Sequence, residues 1–164
     1  MLRPKRLEWE EQGGRHVGRA ERPRLLVVED DMEMRNLVTS TLEGDGYRVV
    51  EARSGDEAAH FLEALSIKDW SQRAVELVVT DVRMANGDGF RLGEMIRAAR
   101  WPIPVIFMTA FPGPDVQAQA ARLGAIVLEK PFALGTLRRL VLLQLVEKAR
   151  QRAALARPPG KDEE

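Results

Sequence analysis

The sequence predicts an α/β fold of the (βα)5 kind, with a parallel sheet covered by helices on both faces. Two observations point to it. Five short apolar runs alternate with segments whose apolar residues recur at helical spacing. Several of those runs are continuously apolar rather than alternating, as strands buried on both faces are. A chain of 164 residues is long enough for one domain with a substantial core.

Residues 1–23 are charged, broken by Gly13-Gly14 and end at Pro23, so they read as a flexible arm. The first strand is "RLLVV" (24–28). Asp31 to Leu42 then places Met34, Leu37, Val38 and Leu42 on a helix, which "EGDG" stops. "YRVVEA" (47–52) is the second strand, and "SGDEAAHFLEAL" is a helix capped by Ser54 or Asp56. "SIKDWSQRAV" is long for a connection and reads as a surface extension. "ELVVT" (76–80) is the third strand, followed by the helix "GFRLGEMIRAAR" with Phe90, Leu92, Met95 and Ile96. "PVIFMT" (104–109) is the fourth strand. The fourth helix, "PDVQAQAARLG", opens at Pro114-Asp115 and closes at Gly124. "AIVLE" (125–129) is the fifth strand.

The last helix runs from about Leu134 to Ala149 or beyond. Leu137, Leu140 and Val141 suit a sheet-facing stripe, but Leu142, Leu143, Leu145 and Val146 widen the apolar surface. Either the preceding loop covers them or they form a partner face. "EKARQRAALA" reads as a projecting basic continuation. The expected organisation is an arm (1–23), a domain (24–148) and a helix extension with a disordered tail (149–164).

Composition removes several function classes. Lys+Arg and Asp+Glu both number 25, which gives no global attraction to nucleic acid or membrane. There is no Cys, hence no disulfide framework, thiolate site or Cys nucleophile. No apolar run approaches the roughly 20 residues of a membrane span, and the start lacks a secretory apolar core, so a cytoplasmic location is expected. His16 and His60 have no partner at ligand spacing. Trp9, Trp70 and Trp101 are single aromatics without an interleaved basic stripe.

In an open parallel sheet, ligands sit beyond the carboxyl ends of the strands. The first strand ends in Glu29, Asp30 and Asp31, the third in Asp81, the fourth in Thr109 and the fifth in Lys130. If the first and third strands are neighbours, these groups share one crevice. Glu29, Asp30 and Asp81 would repel one another, and a hard divalent cation such as Mg2+ relieves that repulsion. Lys130 adds an ammonium and Thr109 a hydroxyl. Together they suit a phosphoryl group on a nucleophilic Asp81. Gly87 and Gly89 would let the following loop pass close to the site. Asp31 also suits the positive end of the first helix.

The motifs "RLLVVEDD", "VVTDVRMANGDGF", "VIFMTA" and "LEKPF" resemble the receiver domain of bacterial two-component response regulators, the CheY-like superfamily, over about residues 24–148. The separations 30 to 81, 81 to 109 and 109 to 130 fit that family. The resemblance implies a flavodoxin-like, doubly wound three-layer sandwich with a five-stranded sheet of order 2-1-3-4-5. It implies phosphorylation of Asp81 by a histidine kinase or phosphotransfer protein. Mg2+ would be held by Asp30, Asp81 and the backbone carbonyl of Arg83, with Glu29 assisting through water. Thr109 would be the switch hydroxyl, Lys130 the phosphate-contacting lysine, and Lys130-Pro131 a cis bond. Arg83 and Phe111 match positions that tune phosphoryl lifetime. There are departures: Ala85 stands where the family usually has Pro, and Val127 where many members place an inward-turning aromatic switch residue.

The expected function is a stand-alone receiver, not an enzyme beyond self-catalysed phosphotransfer and autodephosphorylation. Its output would be a downstream protein, or a second copy, at the face of the fourth helix, fifth strand and last helix. The alternatives are the receiver part of a larger signalling or transcription regulator, and a phosphorylation-independent docking module. A haloacid-dehalogenase-type phosphohydrolase would need a second Asp where Arg83 stands. No helix-turn-helix pattern follows residue 149, which argues against direct DNA readout.

Overall fold

The computed structural model describes residues 22–66, 75–85 and 88–156. Residues 1–21 of the arm, the extension at 67–74, Gly87, the end beyond 156, and with them Trp9, His16 and Trp70, lie outside the described residues. The strands are β1 (Arg24–Val28), β2 (Arg48–Ala52), β3 (Leu77–Asp81), β4 (Val105–Thr109) and β5 (Ile126–Glu129). They alternate with α1 (Met32–Gly44), α2 (Gly55–Ser66), α3 (Gly89–Ala98), α4 (Pro114–Arg122) and α5 (Leu134–Ala156). All pairings are parallel and the order is β2-β1-β3-β4-β5. This is the flavodoxin-like sheet.

The continuous apolar runs are explained by two cores, one on each face. Leu26, Val28, Val78 and Phe107 pack with Ala58 and Leu62 of α2, Phe90, Leu92 and Ile96 of α3, and Ala120 of α4. The alternate residues Leu25, Val27, Leu77, Val79, Ile106 and Met108 pack with Val38 and Leu42 of α1 and Leu137 and Val141 of α5. Period-two alternation therefore divides each strand between two apolar layers. Each fully buried Leu or Val contributes about 1.5–3 kcal/mol.

Local chemistry sets the helix ends. Asp31 caps α1, its carboxylate accepting from the Met34 N–H at 2.7 Å. Ser54, not Asp56, caps α2, its hydroxyl accepting from the Glu57 N–H at 3.1 Å. Asp88 caps α3. Gly124 follows α4 at a φ of 61°, where a residue with a Cβ would be strained.

On α5, Leu137 and Val141 are fully buried, and Leu140 and Leu145 pack on the same core. Leu142, Leu143 and Val146 are exposed. The reading of 147–156 as projecting and basic needs one correction. Lys148 is buried and pairs with Glu76 at 2.8 Å, clamping α5 to the segment that enters β3. It stands seven residues after Val141, on the same stripe. Among the described residues no helix is long and apolar enough to cross a membrane.

Candidate functional site

The sheet reverses its winding between β1 and β3, so the loops leaving those strands diverge and open a crevice at their carboxyl ends. Glu29 and Asp30 follow β1 directly. Asp81 is the last residue of β3, one position further into the ladder than its apolar run suggests, and pairs in register with Met108. One carboxylate oxygen from each of Glu29, Asp30 and Asp81 lies within 4.8 Å of the others. Lys130, just past β5, reaches across two strands. Its Nζ is 2.7 Å from Glu29 Oε2 and 3.6 Å from Asp81 Oδ1. The Lys130-Pro131 peptide is cis.

The three carboxylates sit in different environments. Glu29 is 1% exposed. Burial pushes its carboxyl above the ordinary range, Lys130 opposes the shift and Asp81 adds to it. Burial likewise raises Asp81, against the opposing pull of Lys130. Asp30 is exposed, and although desolvation is its largest single influence, backbone donors hold it below the ordinary range. The chief donor is the Ala85 N–H, 3.2 Å from Asp30 Oδ2. A proline at position 85 could not donate this bond, so the substitution that departs from the family pattern supplies an anchor between the two loops. The donor set fits a hard divalent cation: oxygens only, closely spaced, carrying more negative charge than Lys130 offsets.

Thr109 ends β4 and is 2% exposed, and its hydroxyl accepts from the Phe111 N–H at 3.0 Å. The Lys130 N–H donates to the Thr109 carbonyl at 2.7 Å, tying these two groups together. The Arg83 guanidinium lies 5.4 Å from the centre of the Phe111 ring, so the loops after β3 and β4 meet above the site. Val127 pairs in register with Phe107 and packs half-buried on that side of the sheet. Gly89 opens α3 directly against Asp81, as the expected close approach requires. His60 is exposed on α2 and belongs to no metal-ligating group among the described residues.

Sequence reasoning missed Arg35, which is buried and donates to the carbonyl of Glu29 at 2.8 Å. The signal was present: Arg35, Val38 and Leu42 fall on one helical stripe, so Arg35 occupies a core-facing position.

The raised Asp81 carboxyl predicts a stability effect. A carboxylate whose folded pKa exceeds its unfolded value costs stability above that pKa and none once both states are protonated. Asp81→Asn is therefore expected to melt at a higher temperature than wild type at neutral pH in chelator, with the gap closing as the pH falls towards about 4, the ordinary Asp value. Thermal denaturation across that range checks it; a gap that widened on acidification would contradict the assigned environment.

The family profile described as the response regulator receiver domain matches residues 25–142. The response regulator protein FleR of Pseudomonas aeruginosa is 34% identical over 142 residues, covering 86% of this chain and 26% of FleR. The transcriptional regulatory protein ZraR of Escherichia coli O157:H7 is 35% identical over 109 residues, 66% of this chain and 23% of ZraR. The chain thus spans about a quarter of these two relatives. The non-phosphorylated receiver domain of HemR from Leptospira biflexa superposes with a TM-score of 0.62 at 33% identity, covering 85% of this chain and all of that one. With the sheet order, the acidic cluster and a match over most of its length, the chain belongs to the response regulator receiver domain family.

Proposed function

We propose that the domain accepts a phosphoryl group on Asp81 from a phosphohistidine donor and uses the modification to switch a partner-binding face. The supporting observation is the meeting of the Glu29, Asp30 and Asp81 oxygens within 4.8 Å, with Lys130 at 2.7 Å from Glu29 and 3.6 Å from Asp81. In the transfer, a carboxylate oxygen of Asp81 bonds to phosphorus as the phosphorus–nitrogen bond of the donor breaks, and the electron pair leaves with the imidazole. The product is an acyl phosphate. Glu29, Asp30 and Asp81, with the backbone carbonyl of Arg83, would hold Mg2+, which supplies charge neutralisation for the phosphoryl oxygens.

The chain's own residues supply the rest. Burial desolvates Asp81 and Lys130 directs positive charge at its oxygen, so the group is presented to the donor rather than solvated away. The Thr109 hydroxyl, which accepts from the Phe111 N–H, can donate its own proton to a phosphoryl oxygen, drawing the end of β4 towards Asp81. Val127 stands on β5 where many family members place an aromatic ring, so the readout relies on strand movement rather than ring rotation. The Arg83–Phe111 contact covers the approach to the site and sets access of water to the acyl phosphate. The face of α4, β5 and α5 is the surface for a downstream protein or a second copy, and Leu142, Leu143 and Val146 on α5 add exposed apolar area.

Treatment with a small phosphodonor and Mg2+ should add one phosphoryl mass to wild type and none to Asp81→Asn, and chelation should abolish the label. Equal labelling of both proteins rules out Asp81 as the acceptor.

A further inference from the structure

Arg35 lies in the first turn of α1 and is 8% exposed. A guanidinium buried to this degree needs partners, and its partners here are specific. Nη1 donates to the Glu29 carbonyl at 2.8 Å and lies 3.5 Å from the Asp30 carbonyl. Nε lies 3.7 Å from Glu51 Oε1 on β2, and that same oxygen accepts the Thr39 hydroxyl at 2.9 Å. The register of β1 with both neighbours ends at Val28. The Glu29 N–H still bonds the Ala52 carbonyl of β2 at 3.1 Å, but the carbonyls of Glu29 and Asp30 lie beyond the last registered pair and are held instead by Arg35.

We propose that Arg35 is a positioning residue for the cation site: gripping the backbone of Glu29 and Asp30, it fixes where their carboxylates point and so sets the affinity for a divalent cation. The inference rests on reading the acidic cluster as a Mg2+ site. Purely structural filling of this position would be met by a long apolar side chain, which shares the stripe with Val38 and Leu42 but offers no donor. The guanidinium instead aims its bonds at the two acidic residues, while Glu51, itself held by Thr39, orients it from the far side. Lysine keeps the charge, but its three donors radiate from one compact ammonium, so it lacks the spread of the planar fork that serves the carbonyls on one side and Glu51 on the other.

The test is the Mg2+ dissociation constant of the unphosphorylated protein, measured by titration calorimetry at fixed ionic strength, with thermal denaturation in chelator as the check on folding. Arg35→Met should weaken Mg2+ binding on the order of tenfold, as loss of an orienting group behind a metal ligand does. Arg35→Lys should weaken it roughly threefold, between the two. Arg138→Met, which removes the exposed partner of Asp45, should leave the constant unchanged. A folded Arg35→Met with the wild-type constant overturns the proposal. If that variant does not fold, Arg35→Lys with the wild-type constant overturns it equally. Wild type that binds no Mg2+ brings down the reading of the acidic cluster itself, and this role with it.

Discussion

Replacing Lys130 by Met is expected to slow phosphorylation of Asp81 about 100-fold and to cost about 2 kcal/mol of stability at pH 7. The two effects have different origins. The rate falls because the only ammonium facing Asp81 among the described ion pairs is removed from where negative charge accumulates. The stability falls because Glu29, 1% exposed, loses the partner of its Oε2 and keeps only the Asp31 N–H on Oε1. A carboxylate stranded in this way shifts further upward and takes a proton, which limits the loss. The sign follows: the folded pKa of Glu29 rises further above its unfolded value, so the variant's deficit grows with pH and shrinks towards acid. Lys130→Met combined with Glu29→Gln should recover most of the stability and none of the rate. Thermal melts at pH 5 and pH 8, with label incorporation over time, separate the two. A single variant that melts and labels like wild type would show that the 2.7 Å contact carries neither role.

What could be read from the sequence followed from burial symmetry. β1 was legible to the residue because Leu25 to Val28 face two cores at once, as a short run in a strand buried on both faces does and a one-sided strand does not. Asp30, Asp81, Thr109 and Lys130 were legible as a group because a parallel sheet gathers the residues at its strand ends in one place, whatever their separation along the chain. Charged residues whose burial depends on a partner elsewhere were not. Arg35 and Lys148 occupy the core stripes of their helices, yet each reads as solvated until its acceptors appear: the orphan carbonyls after β1 in one case, Glu76 in the other. Ala85 illustrates the same limit from the other side. Its role is a backbone N–H aimed at a side chain 55 residues away, and a side-chain alphabet does not record that. The exposure of Leu142, Leu143 and Val146 likewise depended on what stands opposite α5, which helical periodicity alone leaves open.

Gly89→Ala is expected to damage the site more than a methyl group added at Gly44, Gly93, Gly113 or Gly135. A Cβ built at this position falls on the carbonyl oxygen of Asp81, with the Asp81 carbonyl carbon and Thr80 Oγ1 each at 3.1 Å. None of these atoms is the far end of a flexible side chain. The Asp81 carbonyl belongs to the last residue of a paired strand, and Thr80 Oγ1 is itself held by a 3.0 Å bond to that carbonyl. Relief therefore requires the start of α3 to move away from β3, breaking the bond from the Gly89 N–H to the Val82 carbonyl at 3.0 Å and loosening the Asp88 cap. Overpacking of this kind costs about 3 kcal/mol, which lowers Tm by roughly 10 °C in a domain of this size. Because the displaced atoms belong to Asp81, the proposed acceptor, Mg2+ affinity and the labelling rate should fall together with Tm. Gly135→Ala supplies the contrast. It lies in the first turn of α5 with nothing within 4 Å of an added Cβ, so it should gain about 0.5–1 kcal/mol through helix propensity and leave labelling unchanged. If both alanine variants melt alike, contact with the Asp81 backbone is not what position 89 is selected for. If Gly89→Ala loses stability but labels at the wild-type rate, α3 supports the fold without holding Asp81 in place.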